Sequence, residues 1–294
     1  RDAKHSEYAH FYLPDLKISI KRLLTRIFPI YLYNIVFILI GKILCPDFMY
    51  FYRMTIDFVF CAIPYEKIFS NYNIRSELGH SFFCYSHIPE SIICQNNNCG
   101  YYLMHWSDIS LSIDSYLFSF LACDKYFLWG RSHVQGVEGS PNIFEFIGYP
   151  FKSFVNAVKK DRYYYLSKMS VNFKGKIISF FDESFGGPIK MTQDNFLLFW
   201  ETALKAAKDL KDHTILIKPK GRYILDNLDS DGKLRYEKIK SELIQLNNAF
   251  ILDEIKWSFI EAIGVSDVVV TQGMTSSATI AIICNIEALY FDQA

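Results

Sequence analysis

Between residues 176 and 292 the sequence alternates short, almost wholly apolar runs with longer amphipathic ones. No other feature of the chain constrains its fold as much. The apolar runs cover 176–181, 214–218, 249–252, 267–271 and 286–291, and the runs between them are predicted helices at 192–210, 234–246, 256–263 and 276–284. A strand without polar alternation must be covered on both faces, and helices between consecutive strands supply that cover in a parallel sheet. The first helix shows the logic. Thr192 is suited to cap it, and Phe196, Leu197, Trp200, Leu204 and Ala207 recur at helical spacing to give one apolar face.

In an open parallel sheet, ligands bind beyond the carboxyl ends of the strands. The polar residues of this half gather there. Asp182 and Glu183 follow the first strand, ahead of Gly186 and Gly187. Either acid offers a general base, and the same residues also make an ordinary acidic turn. Lys218, Pro219, Lys220 and Arg222 follow the second strand, and alternation along the chain predicts both lysines on one side. Gln272, Gly273, Thr275, Ser276 and Ser277 follow the fourth and run directly into a helix. A glycine turn with hydroxyls at a helix start presents free N–H groups and a favourable dipole, which is an anion site suited to phosphate. Plain capping by Thr275 or Ser276 is the other reading of the same residues.

The first half is rich in Phe and Tyr and less periodic. Strands are expected at 58–63, 81–85 and 126–129, and a helix at 109–123. His105 and Asp108, at a loop and helix start, are weaker candidates for an acceptor side. Residues 151–174 read as a linker with a helix. Half of the 294 residues are hydrophobic and a fifth charged, so a large core is expected. The 31 Lys and Arg balance the 31 Asp and Glu, which argues against nucleic acid as a partner but leaves room for a small phosphorylated ligand. The seven cysteines form no C-x-x-C pair and read as reduced, buried thiols. The stretch from His80 through Cys84, His87, Cys94 and Cys99 to His105 matches no standard zinc spacing. No metal or cofactor is expected, and no acid–x–acid metal signature is read in the sequence.

On these residues the second half resembles the C-terminal domain of GT-B glycosyltransferases, above all the bacterial capsule and surface-carbohydrate enzymes. The likeness spans roughly residues 123–294. It is carried by Ser266 to Val270, by Thr275 to Ser277, by Leu289 to Asp292, and by Trp129–Gly130 and Ile147 to Pro150. It implies an α/β chain of two Rossmann-like domains facing a cleft, with 1–150 on the acceptor side, 151–174 between, and 175–294 as an incomplete nucleotide-sugar domain. In the polysialyltransferase-like pattern it implies Asp182 or Glu183 as general base and Ser276 and Ser277 on the donor phosphate. Two departures stand out. Lys218–Pro219 replaces a His-Pro pair, and Ser184 and Phe185 intervene between the acids and Gly186. A lysine neutralises phosphate but does not titrate near neutral pH as histidine does.

The implied activity is transfer of a sugar from a nucleotide-activated donor to a glycan or lipid-linked acceptor. A CDP-glycerol or ribitol phosphotransferase, and a non-catalytic carbohydrate-binding protein, are the competing expectations. The apolar run 28–45 follows Lys21, Arg22 and Arg26 and reads first as a buried element, then as a peripheral membrane contact, and third as a membrane span. The lack of an initiator Met, a signal peptide or an N-glycosylation site suggests a cytoplasmic fragment at the inner membrane face.

Overall fold

The computed structural model describes residues 62–79, 87–105, 123–134, 143–185, 191–273 and 275–291. They divide into two compact units, one up to Phe146 and one from Ile147 onward. Both are α/β units built on parallel sheets.

In the first unit, residues 62–71 form helix α1, followed by β1 (Ser76–Gly79), α2 (His87–Asn96), β2 (Gly100–Met104), β3 (Lys125–Leu128) and β4 (Phe144–Phe146). The four strands lie in the order β1-β2-β3-β4, all parallel. The strand expected at 58–63 is corrected at its described end, since Ala62 and Ile63 are helical. The reason is spacing. Ala62, Tyr65 and Phe69 fall on one helical face and pack on a core of Cys94, Tyr101, Leu103, Tyr126 and Leu128. The expected elements at 81–85 and 109–122 lie outside the described residues, as do the run 28–45 and Asp108.

The second unit opens with α3 (Lys152–Lys160) and α4 (Arg162–Lys168). The expected linker is thus a pair of helices, both packed on α7 (Phe259–Val265). Val155 and Val158 are the buried residues of α3, and Gly264 of α7 admits them closely. A β-carbon on Gly264 would sit 2.6 Å from the Val158 side chain, too near for any residue but glycine. A bidentate ion pair from Arg162 to Asp267, at 2.8 and 2.5 Å, ties α4 to the sheet.

The sheet itself contains β5 (Ile177–Phe181), β6 (Thr214–Lys218), β7 (Ala249–Ile251), β8 (Val268–Gln272) and β9 (Glu287–Phe291), ordered β7-β6-β5-β8-β9 and parallel throughout. The helices α5 (Gln193–Asp209), α6 (Ser230–Ile244) and α8 (Ser276–Ile283) complete the alternation. All five residues of β6 are buried, while the edge strand β9 is largely exposed. Phe196, Phe199, Trp200 and Ala203 of α5 pack with Tyr236 of α6 on Phe180, Ile215 and Ile217. The cap at Thr192 forms as expected, its hydroxyl accepting from Asn195 N–H at 3.2 Å.

Two helix starts differ from expectation, and capping explains both. Asp229 accepts from Gly232 N–H at 2.7 Å and starts α6 at Ser230 rather than at 234. Asp229 and Asp231 also make an acid–x–acid triplet, which corrects the expectation that the chain has none. The first acid is spent on this cap and on Gln193 Nε2 at 2.8 Å. In α7, Asp253 holds the N–H groups of Ile255 and Lys256 in a turn. A capping box of Ser258 and Glu261 then delays the helix to Phe259.

Candidate active site

From β5 the chain runs outward through β6 and β7, then returns to β8 and β9 on the other side. The direction of winding therefore reverses between β5 and β8, which places a crevice at their carboxyl ends. Asp182 and Glu183 leave β5 there, Lys218 ends β6, and Gln272 ends β8. The three loops touch through named bonds. Glu183 N–H donates to Gln272 Oε1 at 3.3 Å, joining the β5 and β8 ends. Lys220 N–H donates to Asp182 Oδ1 at 2.6 Å, joining the β5 and β6 ends.

The two acids have different surroundings. Asp182 is 7% exposed, and its second oxygen accepts from Trp200 Nε1 at 3.2 Å. Burial pushes its pKa up to about 7, against the opposing pull of those two hydrogen bonds and of the Lys218 and Lys220 charges. Asp182 thus anchors the β6 loop from inside the core. Glu183 is more open. Its carboxylate accepts from Ser184 N–H at 2.8 Å and pairs with the Lys220 ammonium.

The lysines also separate in role. Lys218 is buried and its Nζ donates to the carbonyls of Pro219 at 2.8 Å and Glu254 at 3.3 Å. Lys220 extends outward to Glu183, with its side chain 41% exposed. Burial lowers the pKa of both, opposed by Asp182. The charges of both act on Asp182, yet of the two only Lys220 is exposed. Arg222 opens a 3-10 helix, Arg222–Asn227, one residue beyond Gly221.

At the β8 end, Gly273 adopts φ +77°, a conformation that favours glycine and turns the chain into α8. Thr271 Oγ1 donates to Gly273 O at 2.8 Å and fixes that turn. Thr275 occupies the cap position of α8 in extended conformation, but its side chain makes no cap bond. Its buried hydroxyl has no hydrogen-bond partner among the described residues, and neither does buried Gln272 Nε2. Two unanswered polar groups thus flank one glycine at a helix start. Native structures pair the great majority of such groups, and each exception calls for an explanation. Ser276 and Ser277 are the first two residues of α8, half-buried.

His105 belongs to the first unit. It follows β2 in the first unit at 1% exposure. Its ring lies 3.0 Å (Nδ1) from Tyr126 Oη and edge-on to Trp129 and His133. It is a packed core residue rather than an open loop residue. Among the described residues no cluster of three or more His, Cys, Asp or Glu side chains is arranged to hold a metal ion. Sequence reasoning missed Gln272's bond to Glu183 and Trp200's to Asp182. The second carried a faint signal, a Trp on the core face of the helix following the acid pair.

No family model matches the chain, and no curated protein matches its sequence. Several solved structures are similar to it. The wall teichoic acid polymerase TagF is 16% identical, with 66% of this chain and 50% of that one covered at a TM-score of 0.43. A glycosyltransferase from Rickettsia africae is 9% identical, covering 79% and 62% at a TM-score of 0.43. A UDP-forming trehalose-phosphate synthase from Burkholderia vietnamiensis is 11% identical, covering 79% and 59% at a TM-score of 0.44. The chain spans between half and three fifths or so of the length of these structures.

Proposed function

We propose that this chain binds a nucleotide-activated sugar at the β5/β8 crevice and transfers the sugar to a hydroxyl of a surface glycan or lipid-linked acceptor. One observation carries the reading. Among the described residues, Gln272 Nε2 and Thr275 Oγ1 are buried without a hydrogen-bond partner on either side of Gly273, at the start of α8, where Thr275 makes no side-chain cap bond. A donor phosphate would answer both groups, and the dipole at a helix start favours its charge. Lys220, an exposed cation of the neighbouring loop, would leave Glu183 to meet it.

In this reading the carboxylate of Glu183 takes the acceptor's hydroxyl proton as that oxygen attacks the anomeric carbon. The bond from that carbon to the donor phosphate oxygen breaks, and the phosphate leaves with the electron pair. Lys220, the α8 N–H groups, Thr275 and Gln272 stabilise the charge developing on it. Asp182, held inside the core by Lys220 N–H and Trp200, positions the loop and does not meet substrate. Lys218 serves the same scaffold. The enzyme would work on the cytoplasmic side of a membrane, where nucleotide sugars and a lipid-linked acceptor meet.

The test is a thermal-shift series with CMP-, CDP-, UDP- and GDP-linked donors, CDP-glycerol among them. One donor class should raise Tm in the parent and fail to do so in Lys220→Ala. A rise with CDP-glycerol alone turns the reading to phosphotransfer of the teichoic-acid kind. No rise with any nucleotide favours a carbohydrate-binding protein without the chemistry.

A further inference from the structure

We infer that the outer side of the α3–α4 pair is a docking surface for an anionic lipid bilayer. Of the chain's 31 Lys and Arg, seven fall between residues 152 and 176, against one of its 31 Asp and Glu, Asp161. A chain with no net charge therefore carries a local excess of six positive charges in one short segment. Six of those cations are exposed: Lys152, Lys159, Lys160 and Lys168 on the two helices, with Lys159 also donating to Asn285 O at 3.4 Å, and Lys174 and Lys176 just after them. The seventh, Arg162, is held by Asp267. Glu261, the acid of α7 whose charge reaches Lys168, is engaged by Ser258.

Exposed aromatic side chains belong to the same segment. Val155, Val158 and Leu166 turn the inner faces of α3 and α4 into the unit. Outside, Tyr163 is 74% exposed, Tyr164 55%, Phe151 49% and Phe154 42%. Tyr163 lies against Phe173 with ring centroids 5.5 Å apart, and Lys168 Nζ sits 4.5 Å above the Tyr164 ring. Exposed rings cost free energy in water unless something covers them. Tyr and Lys together suit the headgroup level of a bilayer, where rings bury their apolar bodies and ammonium groups meet lipid phosphates. A soluble partner of negative charge would answer the lysines but not the rings. The surface is separate from the β5/β8 crevice, so it stands or falls independently of the proposed reaction.

The test is co-sedimentation of the full chain with phosphatidylcholine vesicles, with and without phosphatidylglycerol. Binding should require the anionic lipid and weaken as salt rises. Each lysine near an anionic surface strengthens binding by about fivefold, so removing two in Lys160→Glu/Lys168→Glu should weaken it at least ~25-fold. Tyr163→Ser/Tyr164→Ser should also weaken binding while keeping its salt dependence. The equal charge change on exposed residues of α6, Lys233→Glu/Lys238→Glu, should change it much less. Undiminished binding in the α3–α4 variants, or equal losses in both charge-reversed pairs, overturns the proposal. So does binding to soluble polyphosphate without binding to vesicles.

Discussion

Glu77 in the first unit and Asp182 in the second are both carboxyls whose pKa burial pushes up to about 7, yet their neighbours differ in kind. Glu77 accepts a weak bond from Cys94 Sγ at 3.3 Å and lies near a second acid, Glu90, which in turn accepts from Tyr101 Oη at 2.6 Å. These groups answer one another, and the neighbours are acids and neutral donors. Asp182 feels the charges of two lysines, and in the loop after the adjacent strand β8 Gln272 Nε2 and Thr275 Oγ1 have no partner among the described residues. A raised pKa therefore does not distinguish a ligand site from a buried structural carboxyl. The distinction rests on cations and unanswered donors converging where the sheet reverses its winding.

Substituting the open acid should give the largest contrast. Glu183→Gln should cut transfer by about 10²–10⁴-fold, the range for a general base, without weakening nucleotide binding. Glu77→Gln should leave turnover per folded molecule unchanged. A large loss of turnover in Glu77→Gln with the fold intact would erase the comparison.

Stability against pH tests the next largest effect. Because the folded chain holds the Asp182 proton to higher pH than the unfolded chain, protonation favours the fold. Stability from this group should therefore decline as pH rises from about 4 to about 7. The full effect is roughly 4 kcal/mol at most, from about three units of displacement. Asp182→Asn should flatten the decline in denaturant titrations run across that window. Glu77→Gln should flatten it less, because Glu77 is only half-buried.

The lysines sharpen the contrast within the site. Lys220→Ala should weaken nucleotide binding by about 1.5–3 kcal/mol, the range for a hydrogen bond to a charged group. Lys218→Met should mainly lower stability, because it leaves the Pro219 and Glu254 carbonyls without their donor. Calorimetric titration of both variants reads the difference. Equal losses of affinity would mean that both ammonium groups reach the ligand.

The parallel sheet of the second unit was legible because β5, β6 and β8 are buried on both faces and read as almost wholly apolar runs. The gathering of polar residues at their ends followed from topology alone. What the sequence could not supply was the division of labour between neighbours. Asp182 and Glu183 are adjacent and chemically alike, and only the positions of Trp200 and the Lys220 backbone separate the buried one from the open one. Lys218 and Lys220 differ for the same kind of reason. In the first unit, Ala62 and Ile63 are helical rather than the end of the strand expected at 58–63, because a short apolar run has no period of its own until Tyr65 and Phe69 extend it.

The smallest effect separates a ligand group from a helix cap. Thr275→Val keeps the shape and removes the hydroxyl. If the hydroxyl serves the ligand, thermal stability should stay level or rise, and nucleotide affinity should fall by about 1 kcal/mol. A cap would instead cost about 1 kcal/mol of stability with affinity unchanged.

Amide NMR of the nitrogen-15-labelled chain, titrated with the nucleotide that raises Tm most, tests the phosphate site most directly. The account predicts that the largest shifts fall on the backbone N–H groups of Gly273 and Thr275 to Ser277 and on the Gln272 side-chain amide. Saturable binding with those signals unmoved would contradict it, leaving the start of α8 as a helix end and nothing more.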